Sequence, residues 1–172
     1  MSYRELLLGC GNRRTKMLGP TGSIGWQNLT TLDFDTACKP DVLHYLGGRD
    51  ELPFAADTFD ELHAYEVLEH IGRQGDWRGF FREFSDYWRV LKPNGGLFGT
   101  CPDVSSRWAW GDPGHTRIIG PEQLTFLSQA QYAAQVGKTP MTDYRNVYKA
   151  DFEFIRCERH GELNYFGLRA IK

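Results

Sequence analysis

At 172 residues, 41% hydrophobic and 24% charged, the chain has the size and composition of one folded domain. Its 20 basic side chains against 22 acidic ones leave a net charge of -2. That balance excludes a broadly cationic surface, and with it duplex nucleic acid or an anionic membrane as the default partner. Four cysteines, Cys10, Cys38, Cys101 and Cys157, stand far apart with no Cys-x-x-Cys pair, so buried free thiols are expected in preference to disulfides or a metal site. The first residues offer only Leu6, Leu7 and Leu8 as an apolar block, too short for a signal peptide or a membrane span, and a reducing cytoplasm is the expected setting.

Apolar runs alternate with helical patterns along the chain, which predicts a mostly parallel sheet with helices on its faces. The first strand covers 5–9 and ends at Gly9-Cys10-Gly11. A second covers 28–34, stopping at the acids Asp33 and Asp35, and a short third covers 42–46. A fourth, 60–65, leads into Glu66-Val67-Leu68-Glu69-His70. The clearest helix starts after Asp76, a suitable N-cap, and ends before Pro93-Asn94-Gly95-Gly96. Its apolar side uses Phe80, Phe81, Phe84, Tyr87, Trp88 and Leu91 at helical spacing. A fifth strand covers 97–101, and 121–135 reads as a helix with Pro121 in its first turn. Two closing strands, 152–157 and 163–171, flank His160-Gly161, a spacing that permits only an antiparallel hairpin. Between Gly11 and Asn28 stand Gly19, Pro20, Gly22 and Gly25, which leave little room for a crossover helix. A short helical turn over 12–17 followed by a loop is expected there.

The chemistry begins at the end of the first strand. Small residues after a buried strand let a ligand approach the backbone, whose freed N–H groups can receive an anion. Asp33 follows Gly9 by 24 positions, at the carboxyl end of the next strand, close to the spacing of dinucleotide-binding folds. A carboxylate there can accept hydrogen bonds from two neighbouring ribose hydroxyls, whereas Asp35 is assigned to solvent. The basic run Arg13, Arg14, Lys16 is local and suits a small anion.

Five segments now stand in order: Gly9-Cys10-Gly11; Leu32-Asp33-Phe34-Asp35; Leu52-Pro53-Phe54 with Asp57-x-Phe59-Asp60; Val67-Leu68-Glu69-His70; and Val90-Leu91-Lys92-Pro93-Asn94-Gly95-Gly96. This series resembles the class I, Rossmann-like S-adenosylmethionine-dependent methyltransferases, particularly their small, cap-less members. The resemblance implies a three-layer α/β fold with a C-terminal antiparallel hairpin, S-adenosylmethionine as cofactor and methyl transfer as the reaction. By that resemblance Gly9, Cys10 and Gly11 line the methionine half of the cofactor, with Asn12 and Arg13 near its carboxylate. Asp33 holds the ribose, Phe34 packs on the adenine, Leu46 flanks it, and Tyr65 and Glu66 face the sulfonium. A third glycine is missing where Arg13 stands, and Tyr45 replaces an aspartate that relatives often carry. Arg13 and Arg14 are expected to compensate by charge for the missing helix N-terminus. His70 is assigned to packing, and Leu52, Phe54 and Phe59 to the core.

The run Trp108-Ala109-Trp110-Gly111-Asp112-Pro113-Gly114-His115-Thr116-Arg117 follows the fifth strand, on the side where ligands bind in open α/β sheets. It reads as an acceptor lid contributed by Trp108, Trp110, Asp112 and Arg117, with His115 as the candidate general base. No Asn/Asp-Pro-Pro-Tyr segment or added recognition domain is present, so the expected acceptor is a small molecule or sugar. Two rival functions share these features: a cofactor-binding module without turnover, and a nicotinamide-dependent oxidoreductase.

Overall fold

The computed structural model describes residues 2–18 and 25–172. Seven strands form one sheet in the order β3-β2-β1-β4-β5-β7-β6. The strands are β1 (Glu5–Leu8), β2 (Leu29–Asp33), β3 (Val42–Leu43), β4 (Phe59–Tyr65), β5 (Leu91–Pro102), β6 (Phe152–His160) and β7 (Leu163–Ala170). The first five run parallel, and β7 inserts antiparallel between β5 and β6. The mostly parallel sheet and the closing hairpin therefore stand as the sequence implied. Gly161, in the left-handed region at φ 62, makes the two-residue turn of that hairpin. Since β1 sits between β2 and β4, the strand order reverses there, and a crevice opens beyond the carboxyl ends of β1 and β4.

The first face of the sheet is closed by α1 (Trp77–Val90), whose N-cap Asp76 accepts the Gly79 amide at 2.9 Å. The helix turns Phe80, Phe81, Phe84, Tyr87 and Val90 onto Leu6, Leu8, Leu32, Leu62, Leu97 and Leu168, all buried in one apolar cluster. The same cluster takes up α3 (Pro121–Thr125) and α4 (Gln129–Gln135) through Leu124 and Tyr132. Residues 121–135 were expected to form one helix. They break because the Leu127 carbonyl accepts the β6 amide of Phe152 at 3.0 Å, and Ser128 starts a second helix as its N-cap. A single-turn helix, α2 (Trp108–Gly111), follows β5.

The opposite face carries Glu5, Glu61 and His63, all buried, under the segment that runs from Gly11 toward β2. The short helical turn expected over 12–17 does not form; that stretch is extended and irregular. Instead Lys16, 4% exposed, drops onto the sheet, bonding to Glu5 and lying 2.7 Å from Glu61. Trp26 covers the group edge-on to His63 at 4.9 Å between ring centres. Lys16 was expected to serve an anion with Arg13 and Arg14, but its charge is consumed inside the fold. Gly19, Pro20 and Gly22 of the expected loop lie outside the described residues. All four cysteines are free, and among the described residues no helix is long and apolar enough to cross a membrane.

Candidate functional site

Two cavities adjoin at the carboxyl ends of β1 and β4, and Gly9 and Glu66 line both. The larger, about 430 Å³, is lined by Asp33, Phe34, His44, Tyr45, Leu46, Val67, His70 and Ile71 besides those two. The smaller, about 250 Å³, takes Cys10, Gly11, Asn12, Arg13 and Tyr65. All ten residues that the sequence assigned to a cofactor thus line these two adjoining cavities.

Local chemistry fixes that crevice. Gly9 stands at φ +56, and a Cβ there would lie 2.6 Å from the Val67 side chain, so only glycine fits. Gly11, at φ +48, has open space where a Cβ would be, so a ligand can reach the backbone. Glu66 holds the same left-handed conformation at φ 57 without being glycine; its amide is pinned to the Thr100 carbonyl at 2.9 Å. Burial raises the Glu66 carboxyl above its usual range. Asp33, 7% exposed, accepts the Gly11 amide at 2.8 Å on Oδ2 and the Asp35 amide at 3.0 Å on Oδ1. Each oxygen keeps a further acceptor position, so the carboxylate shapes the glycine turn and can still receive hydroxyls. Asp35 caps a short 3-10 turn through the Ala37 amide and takes no part in the cavities. Phe34 and Tyr45, both exposed, meet edge to face at 5.9 Å at the crevice mouth.

The smaller cavity is braced from the polar face. The Tyr65 hydroxyl accepts the Met17 and Leu18 amides at 3.1 Å each and pairs with His63 Nδ1 at 2.7 Å. Burial pushes that hydroxyl up to about 12. Arg14 is not available to a ligand carboxylate, because its Nη2 donates to the Cys38 and Lys39 carbonyls at 2.8 Å each. Arg13 alone of the pair lines the cavity.

The loop after β5 departs from expectation. Arg117 is no lid residue: 6% exposed, it donates to the Arg73 and Asp76 carbonyls at 2.7 and 3.1 Å, with its guanidinium over the Phe80 ring. The loop is fastened, since the Thr116 and Arg117 amides both donate to the Glu69 carbonyl. Trp108 and Trp110 are exposed on α2, outside both cavities, and Asp112 accepts the Gly114 amide at 2.7 Å. His115 lines neither cavity; its side chain is 8% exposed and sits edge-on to His70 at 4.6 Å between ring centres. His70, which the sequence assigned to packing, is exposed, lines the larger cavity and bonds through Nδ1 to the Gly114 carbonyl at 3.0 Å. Behind it Glu69 is buried, and neither carboxylate oxygen has a hydrogen-bond partner among the described residues. The Cys101 thiol lies beside Glu69 without good hydrogen-bond geometry, and burial raises both groups. His44, Val67 and Ile71 were also missed. The signal for His44 was its place immediately after β3, next to Tyr45 and Leu46.

Comparison with known proteins decides the lineage of this architecture. The family model described as "Methyltransferase domain" matches residues 6–99, more than half of the chain. The chain belongs to that family. The cofactor it implies is S-adenosylmethionine, and the crevice fits: an open glycine backbone, a buried acid after β2 and exposed aromatic rings at the mouth. Solved structures agree on the fold. A SAM-dependent methyltransferase from Archaeoglobus fulgidus is 17% identical, with 99% of this chain and 86% of that one covered and a TM-score of 0.55. A putative methyltransferase from Haloferax volcanii, solved in complex with the Trm112 methyltransferase activator, gives 12%, 99%, 84% and 0.58. The [4+2]-cyclase SpnF gives 18%, 99%, 75% and 0.53, so the same fold also carries another chemistry. The search of curated proteins finds no match to this methyltransferase-family chain.

Proposed function

We propose that this chain transfers the methyl group of S-adenosylmethionine to a small-molecule or sugar acceptor bound beside Glu66 and His70. The observation that carries the reading is the adjacency of the two cavities, which share Gly9 and Glu66 at the strand-order reversal. In this reading Gly9, Cys10, Gly11, Asn12 and Arg13 receive the amino-acid half of the cofactor. Asp33 receives the ribose hydroxyls, and Phe34, Tyr45 and Leu46 the adenine. Backbone groups near Leu46 serve the adenine amine, because no acid stands at Tyr45.

The cofactor supplies a methyl carbon already activated by its sulfonium. The protein must therefore align the acceptor and exclude water, and it needs a base only where the acceptor carries a proton. His70 is the imidazole that meets the cavity, and His115, edge-on to it, holds its orientation and shares its electrostatic environment. The proton-accepting role first read for His115 therefore passes to the His70–His115 pair. The experiment is calorimetry with S-adenosylhomocysteine followed by product detection over a panel of hydroxyl and amine acceptors. Binding with methylated product supports the reading. Binding of NADH in place of S-adenosylhomocysteine overturns it.

A further inference from the structure

The acceptor side places a buried carboxylate, to which the methyl-transfer reading gives no role, beside the His70–His115 pair. A ring nitrogen of His70, a ring nitrogen of His115 and a carboxylate oxygen of Glu69 lie within 4.8 Å of one another. Glu69 is buried, and neither of its oxygens has a hydrogen-bond partner among the described residues. His115 Nδ1 is likewise buried and unpartnered. A carboxylate and an imidazole left unsatisfied side by side in the interior are costly, and a bound cation is one way to repay both.

We propose that Glu69, His70 and His115 form a site for a divalent transition-metal ion that opens into the acceptor side of the crevice. Two imidazoles and one carboxylate suit manganese, iron(II), cobalt or zinc, and three protein ligands leave positions open for an acceptor. The outer contact of His70 has the form that a ligating histidine requires. His70 Nδ1 is taken by the Gly114 carbonyl at 3.0 Å, leaving Nε2 with its lone pair. The Gly114 carbonyl thus fixes the tautomer and the ring orientation of His70. His115 Nδ1 is the buried nitrogen without a partner and so the one free for the ion, while Nε2 stands 3.9 Å from Asp112 Oδ2, beyond hydrogen-bond reach. The frame is rigid as well: the Thr116 and Arg117 amides and the Thr116 hydroxyl all donate to the Glu69 carbonyl, and the Gln74 amide donates to the Thr116 carbonyl. The Arg117 guanidinium then clamps the loop to the turn before α1.

His70 lines the larger cavity, so the open positions of the ion face that space. Resting on the methyl-transfer reading, the site selects an acceptor with an ionisable oxygen. On the ion such an oxygen gives its proton to solvent near neutral pH, so with the ion bound the His70–His115 pair serves as ligand and not as base. Its electron pair then forms the O–CH3 bond as the S–CH3 bond breaks, and the sulfur pair leaves with neutral S-adenosylhomocysteine.

The test is a titration of the full chain, stripped with a chelator and exchanged into clean buffer, with cobalt(II) followed by its visible absorbance. One saturable equivalent is expected. His70→Ala and Glu69→Gln each weaken it at least about tenfold, the scale on which such shells act, and His160→Ala on the distant hairpin leaves it unchanged. His70 is exposed, so its variant keeps the fold, which circular dichroism checks. Absence of saturable binding, or equal binding in wild type and His70→Ala, overturns the site. S-adenosylhomocysteine calorimetry on the same stripped protein separates the two claims. Cobalt binding without S-adenosylhomocysteine binding supports the metal site and removes the methyl-transfer reading; S-adenosylhomocysteine binding without cobalt binding does the reverse.

Discussion

One face of the sheet is closed by aromatic side chains from α1, and the other by a lysine inserted among two glutamates and a histidine. The first needs only shape, because Phe84 and Tyr87 bury apolar area wherever they fit. The second works only while every charge keeps its partner. Lys16 pairs with both Glu5 and Glu61; Tyr3 donates to Glu61; His63 Nε2 pairs with Glu61 at 2.9 Å, and its Nδ1 accepts from the Tyr65 hydroxyl. That chain of contacts ends at Met17 and Leu18, whose amides Tyr65 holds. The ionic face thus does what a crossover helix does elsewhere: it fixes the segment that follows the glycine turn.

Removing one member from each face gives the largest effects. Phe84→Ala should cost about 3–5 kcal/mol through a cavity, and Lys16→Met about 3–5 kcal/mol through two uncompensated carboxylates, both read by urea denaturation. Acid then tells the faces apart. Burial alone would raise the Glu61 carboxyl, but hydrogen bonds from His63, Lys16 and Tyr3 outweigh it and hold it well below its ordinary 4.5. Its stabilisation is therefore complete above pH 4.5 and lost as pH falls below it. His63, lowered from 6.5 by burial, adds a loss that starts as pH drops below 6.5. Wild type and Phe84→Ala should share this acid slope, whereas Lys16→Met should flatten it. Parallel slopes for all three would place the acid sensitivity elsewhere.

Smaller effects test whether the ionic face reaches the crevice. Tyr65→Phe strips the Met17 and Leu18 amides of their acceptor, a loss of about 1–3 kcal/mol, and should weaken S-adenosylhomocysteine binding along with stability. Lower stability with unchanged affinity would confine the network to the fold. Arg13→Ala should weaken S-adenosylhomocysteine more than its decarboxylated analogue. Arg14→Ala, tied to the Cys38 and Lys39 carbonyls, should weaken both equally and slightly.

The apolar face was legible in the sequence because the spacing of Phe80, Phe81, Phe84 and Tyr87 is that of a helix stripe, and Asp76 announces its start. The crevice was legible through Gly9 and Asp33, whose positions follow strand ends. The ionic face was not. Glu5, Glu61, His63 and Lys16 are residue types that usually meet water, and only the sheet register, with the descent of Lys16 onto it, shows that they share one interior. The role of Arg117 was hidden for the same reason, since its partners are main-chain carbonyls that leave no mark in a sequence. For His115, its position after β5 is legible, whereas its contact with His70 depends on loop hydrogen bonds through Asp112 and Thr116 that leave no mark in a sequence.

The claim on which the rest depends is that the crevice joined at Gly9 and Glu66 receives S-adenosylmethionine through Asp33. Calorimetric titration of S-adenosylhomocysteine into the wild-type chain and into Asp33→Ala tests it most directly. One saturable site in the wild type, weakened at least about tenfold in the variant by loss of charged hydrogen bonds, is the expected result. No saturable binding to the wild type, or the same affinity in both proteins, would contradict the assignment.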